Sequence, residues 1–102
     1  MRHITEVRLV GGEHLEHIES LHWYETAGPN APDTGPLMRS PREEMYEHVK
    51  NSRMDGLEGA YALNKAKTHH AFLMDVKGAH VNYVKTVPDN TKSDNLLSLP
   101  RY

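Results

Sequence analysis

Cysteine is absent from all 102 residues. That absence removes disulfides, thiol nucleophiles and zinc–thiolate centres together. Large apolar side chains are scarce. There is one Phe and one Trp, and Leu, Ile, Val and Phe amount to 20 residues, close to the ~20 % level below which highly charged chains stay unfolded. A strong charge of one sign is lacking too. Twelve Lys/Arg against 14 Asp/Glu leave a formal −2, so self-repulsion does not open the chain. The same balance excludes a generic polycation that reaches nucleic acid by counterion release alone. No apolar run approaches the ~20 residues of a membrane span, and mean hydropathy is −0.71. Residues Met1 to Thr5 hold no apolar stretch of the secretory type. These absences lead us to expect one soluble, cytoplasmic domain spanning residues 1–102. Such a domain buries only about 60–65 % of its unfolded surface, so a partner or a second copy covering an apolar face would help it.

Histidine is what the chain has in excess: eight residues, against five Asp. Protonating all eight would move the formal charge from −2 to +6, and unperturbed imidazole titrates near pH 6.5. The sequence therefore predicts altered stability or assembly below about pH 6. The halves also differ in charge. Residues 1–51 carry five Lys/Arg and nine Asp/Glu, net −4, and residues 52–102 carry seven and five, net +2.

Alternation from Ile4 to Val10, with Val7 and Leu9 on one face, predicts a half-buried strand, and Gly11-Gly12 supplies turn chemistry. His14 to Tyr24 reads as a second strand completing a hairpin, with a bulge that re-aims Ile18; the helical alternative would stripe Leu15, Ile18 and His22. Four of six prolines fall between Glu25 and Pro41, which predicts a long proline-rich loop without regular structure. Ser40-Pro41-Arg42-Glu43 then has the pattern of a capping box. It predicts a helix over about Pro41–Asn51 with Met45, His48 and Val49 inward.

Three runs follow: Tyr61/Leu63, then Phe72/Met74/Val76, then Val81/Tyr83/Lys85/Val87. They predict a meander turning at Lys65-Ala66-Lys67 and Gly78 and ending at Pro88-Asp89-Asn90. Asp94 is expected to cap a last helical turn whose Leu96, Leu97 and Leu99 seal the core. The fold expected is α+β: an N-terminal β-hairpin, one helix and a three-stranded antiparallel meander, five strands able to curl into a partly open barrel.

The densest ligand-type cluster is His14, Glu16, His17 and His22. Imidazole with carboxylate suits zinc, iron or nickel, which makes these four the candidate metal ligands. Against this, a strand would spread His14 and His22 over about 27 Å at ~3.4 Å per residue, and the alternative is a solvated polar face. His69-His70 with His80 on the next strand is a second group, read as sheet-edge histidines. Lys65, Lys67, Lys77 and Lys85 beside Tyr61 and Tyr83 give a mild single-strand-binding character. Asp89, Asn90, Asp94 and Asn95 fit no calcium loop and read as turns and a cap. Phosphate-binding loops, dinucleotide fingerprints and nucleophile elbows are missing.

Three segments carry a family resemblance: ITEVRLVGGEHLEHIESLHW (Ile4 to Trp23), SPREEM (Ser40 to Met45) and YVKTVPDNTKSDNLLSLP (Tyr83 to Pro100). Their order resembles an uncharacterised bacterial and phage family, domain of unknown function number 3892, and Asp94-Asn95-Leu96-Leu97 is its most specific part. The proline-rich stretch departs from the shorter linkers of that family. The resemblance implies strands for residues 14–24 and a prokaryotic or phage cytoplasmic origin, and brings no activity, cofactor or catalytic residue.

The sequence thus leads to a small non-enzymatic interaction or accessory protein needing no cofactor. It would bind a host protein or a second copy, as a homo-oligomer, through a sheet edge or the loop from Glu25 to Pro41, with no role at membranes. A divalent-metal protein or hydrolase using the His/Glu cluster is the first alternative, and a weak single-stranded nucleic-acid binder the second.

Overall fold

The computed structural model describes residues 1–63, 67–87 and 94–102. Strand β1 (Arg2–Leu9) leads through a 3₁₀ turn (Leu15–His17) into β2 (Ile18–Thr26), β3 (Asp33–Pro41) and helix α1 (Arg42–Met54). Strands β4 (Ala60–Leu63), β5 (His70–Lys77) and β6 (Asn82–Thr86) follow, then a closing 3₁₀ turn (Asn95–Ser98). The class is α+β, as expected, with six strands in the order β3-β2-β1-β4-β5-β6. All neighbours are antiparallel except β1 and β4. The meander therefore exists as half of one mixed sheet rather than as a separate unit. The expected turn at Lys65-Ala66 and sheet end at Pro88-Asp89-Asn90 lie outside the described residues.

The sixth strand corrects the reading of residues 25–41 as a loop. Gly35 adopts φ +74°, and the β2–β3 register slips between Trp23 and Glu25. Residues 35–37 bulge there, and the bulge absorbs Pro36. Being at the sheet edge, β3 needs no N–H from its prolines for a further neighbour. Two more bulges set the faces of the hairpin. Ile4 and Glu6 oppose the consecutive Trp23 and His22, and Arg8 and Leu9 oppose Ser20 and Ile18. Thr5 and Glu19 are thus the extra residues. Ile4 and Val7, rather than Val7 and Leu9, become fully buried, and Ile18 turns inward as the predicted bulge required.

Helix α1 runs three residues beyond the expected Asn51, and its start is not the predicted capping box. Pro41 is the N-cap and makes no side-chain cap bond. The Ser40 hydroxyl instead accepts the indole N–H of Trp23 at 2.9 Å, which holds it toward the sheet. At the other end, Gly56 at φ +76° closes the helix, its N–H donating to Arg53 O and that of Leu57 to Ser52 O, a Schellman ending. Inward are Met45, Tyr46 and Val49; His48 is half-buried and bonds Gly59 O at 3.0 Å.

The core gathers Ile4, Val7, Ile18, Leu21, Met45 and Val49 with Leu73, Val84 and Leu96. Asp94 caps the last turn as predicted, accepting from Leu96 N at 2.9 Å. Leu96 is fully buried and Leu99 packs against the core. The sheet curls around α1, and Arg42 spans its open seam. Its Nε donates to Asn82 O (3.1 Å) on β6, and its Nη1 donates to Glu16 O (3.0 Å) and Ile18 O (3.1 Å) beside β2. β3 and β6 are the edges of the sheet and form no ladder with each other, so the sheet is open, with Arg42 bridging β6 to the start of β2.

Candidate functional site

The apolar alternation of β5 faces the wrong way for a core. Leu73 and Ala71 are buried, whereas Phe72, Met74 and Val76 are only partly covered. On β6, Val84 and Thr86 are buried while Tyr83 and Lys85 are not. Leu73 and Val84 meet α1 on the concave face, so residues of the other parity line the convex face. Cross-strand register there pairs Met74 with Lys85 and Val76 with Tyr83, and Val87 N donates to Phe72 O at 2.8 Å. Among the described residues the main neighbours of β5 are β4 and β6 at its sides and α1 on the concave face. Phe72, Met74, Val76 and Tyr83 thus form a half-buried, largely apolar strip two strands wide on the side away from α1, a pattern suited to an interaction surface.

At one end this strip runs into a cleft. Tyr83 also lines a cavity of about 400 Å³ with Glu16, His17, Gly78, His80 and Val81. His17 lines a second one of about 320 Å³ with Val10, Glu19, Pro41, Arg42 and Glu43. Two glycines build the walls. A Cβ on Gly12 would overlap the His17 ring, and one on Gly78 would overlap Val81 O and come within 3.1 Å of the Tyr83 ring. Backbone N–H of His14 donates to His17 Nδ1 at 3.1 Å. That nitrogen is therefore an acceptor, and the neutral ring carries its proton on Nε2. Arg42 ties the walls together through the three carbonyls described above. The arrangement offers imidazole donors and a phenol at the end of an apolar strip.

The opposite end of the strip is polar. Tyr61, the cross-strand partner of Phe72, stacks on His3 at 4.8 Å with the rings 5° from parallel. His70 meets Tyr61 edge-on at 5.3 Å. Asp33 holds the other side of His3, its carboxylate 2.9 and 3.1 Å from Nδ1. Burial, reinforced by the Asp33 charge, raises the Tyr61 pKa, so the phenol stays neutral and can donate. Cavities of about 230 and 220 Å³ flank His3.

The four residues nominated as metal ligands are not brought together. His14 and His17 lie 5.7 Å apart by ring centroid, and Glu16 and His17 share the cleft. His22 belongs elsewhere: its Nδ1 is 2.9 Å from Glu6 Oε1, and its ring stacks on Tyr102. Among the described residues no three His, Asp or Glu converge as a metal site would. His80 sits in the β5–β6 turn rather than on a strand, at the far end of β5 from His70. Lys77 is exposed at the end of β5 and separate from Lys85, while Lys65, Asp89 and Asn90 lie outside the described residues. No helix among the described residues is long and apolar enough to cross a membrane. The Phe72/Met74/Val76 strip was visible in the sequence as alternation; only its register against Leu73 and Val84 reveals which face it occupies.

A sequence-family model described as "Protein of unknown function (DUF3892)" matches residues 3–100. No curated protein and no solved structure matches the chain. The matched region runs through the proline-rich stretch that forms β3 and takes in His17, Arg42 and Tyr83 at the cleft. The chain belongs to the DUF3892 family of proteins of unknown function.

Proposed function

We propose that this protein is a small, non-enzymatic interaction protein, and that it binds a protein partner on the convex face of the β5–β6 hairpin. The observation that carries this reading is the outward alternation Phe72, Met74, Val76, faced across the ladder by Tyr83 and Lys85. A sheet face is normally polar where it meets water; here the face of β5 away from α1 carries Phe72, Met74 and Val76. The edge strand β3, where the sequence placed the contact, is the poorer candidate. Pro36, the bulge at Gly35 and the charge on Arg39 are devices that discourage strand addition.

The test is a Met74→Lys/Val76→Lys double variant. It should unfold cooperatively like the wild type yet lose the complexes the wild-type protein forms in cells that express it naturally. Retention of those complexes by a folded variant contradicts the reading.

A further inference from the structure

The convex strip has a shape and a charge that select among partners; this inference rests on the docking reading above. From Phe72 to Val76 the apolar ground is about 14 Å long at ~3.4 Å per residue, and two strands wide, with strands ~5 Å apart. It is bounded on the β4 side by the polar His3, Asp33 and His70 group around Tyr61. On the other side β6 is the last strand of the sheet. A second sheet laid on this face would need apolar ground several strands wide. A single α-helix needs a stripe only, and three turns of helix measure about 16 Å.

Charge narrows the choice further. Lys85 lies within the strip opposite Met74; the cleft end carries His17 and His80 but also the carboxylates of Glu16, Glu19 and Glu43, so Lys85 is the charge that selects. We propose that the occupant is one amphipathic α-helix of a partner protein. Its apolar stripe lies along Phe72, Met74 and Val76, and acidic residues flanking that stripe face Lys85. α1 covers the concave face of the same hairpin through Leu73 and Val84, so the partner helix would complete a helix–sheet–helix layering.

Three synthetic peptides of about 18 residues, some five turns of helix, test this by amide chemical-shift titration of the full chain. One carries a Leu stripe at helical spacing flanked by Glu, the second the same stripe flanked by Lys, and the third the first composition in strict alternation. The expected result is saturable binding of the Glu-flanked helix, with shifts at Phe72–Val76 and Lys85. Binding should be roughly tenfold weaker for the Lys-flanked peptide and for the Lys85→Glu variant, the scale of a close charge reversal. Equal binding of both helices, preference for the alternating peptide, or shifts confined to β3 would overturn the inference. If no peptide binds but the Met74→Lys/Val76→Lys variant still loses its native complexes, the docking face stands and the helix is wrong. A wild-type dimer abolished by that variant has the same meaning.

Discussion

Val76 and Tyr83 face each other across the β5–β6 ladder on the side of the sheet away from α1, while Val84 and Leu73, of the other parity, are buried on the α1 side. One parity of the hairpin holds the fold and the other is free to hold a partner. Truncation should separate them. Leu73→Ala removes a fully buried side chain and should cost about 2–5 kcal/mol. Met74→Ala, one residue away, should cost less than about 1 kcal/mol. Urea denaturation of both variants decides the matter, and equal losses would contradict the assigned faces.

Glycine substitutions should discriminate between turns. Gly12→Ala and Gly78→Ala force a methyl into the His17 ring and the Val81 carbonyl, and each should cost about 1–3 kcal/mol, the usual scale of overpacking. Gly28 has open space around its Cβ position and no positive φ, so Gly28→Ala should be neutral or stabilising by up to about 1 kcal/mol. Thermal melts of the three variants test this; a destabilised Gly28→Ala would count against the β2–β3 connection as described.

Arg42 holds the seam by donating to the carbonyls of Asn82, Glu16 and Ile18. Arg42→Met should cost on the order of 2–4 kcal/mol, because part-buried acceptors lose a charged donor. Arg42→Lys should recover little, since an ammonium cannot reproduce the planar fork. Hydrogen exchange should show the loss at β6 and at Leu15–Ile18 before it appears in β1.

Two carboxylates give opposite acid dependences. The Arg2 guanidinium, 2.6 Å from Glu44, holds the Glu44 carboxyl below its ordinary range. Its stabilisation is present above the unfolded pKa and is lost as pH falls through the lower folded value. Glu44 is half-exposed, so solvent screening keeps the effect small. Burial pushes Asp94 upward despite its bonds from Leu96 and Thr86. Its protonated form favours the fold, a contribution present below the unfolded pKa and lost as pH rises through the raised folded value. Below about pH 4.5, Arg2→Gln should therefore flatten the acid loss of stability, whereas Asp94→Asn should remove a loss that develops as pH rises. Urea midpoints measured from pH 3 to 7 for both variants check the two signs.

Much of this was legible in the residues. The capped turn at Asp94 follows from an Asp two residues ahead of the Leu96 N–H it accepts, and the bulge that turns Ile18 inward follows from a misfit in alternation. Ser40 was misread because its hydroxyl has two local uses, and the distant Trp23 indole takes it. Residues 25–41 were misread because proline forbids a central strand but not an edge one, and edge position is a property of the whole sheet. The convex strip was legible as an alternation but not as a surface, because period-two alternation identifies a face without saying which face is buried. The resemblance segments converge in space for structural causes, since His17, Arg42 and Tyr83 meet at the seam from three distant parts of the chain.

Site-specific photo-crosslinking in the native cells tests the central claim most directly. A photoreactive phenylalanine replaces Met74 on the convex strip or, as a control, Met54 at the helix end, which is 74 % exposed. The account predicts a discrete protein adduct from position 74 and none of the same size from position 54. No adduct from position 74, or the same adduct from both positions, would contradict it.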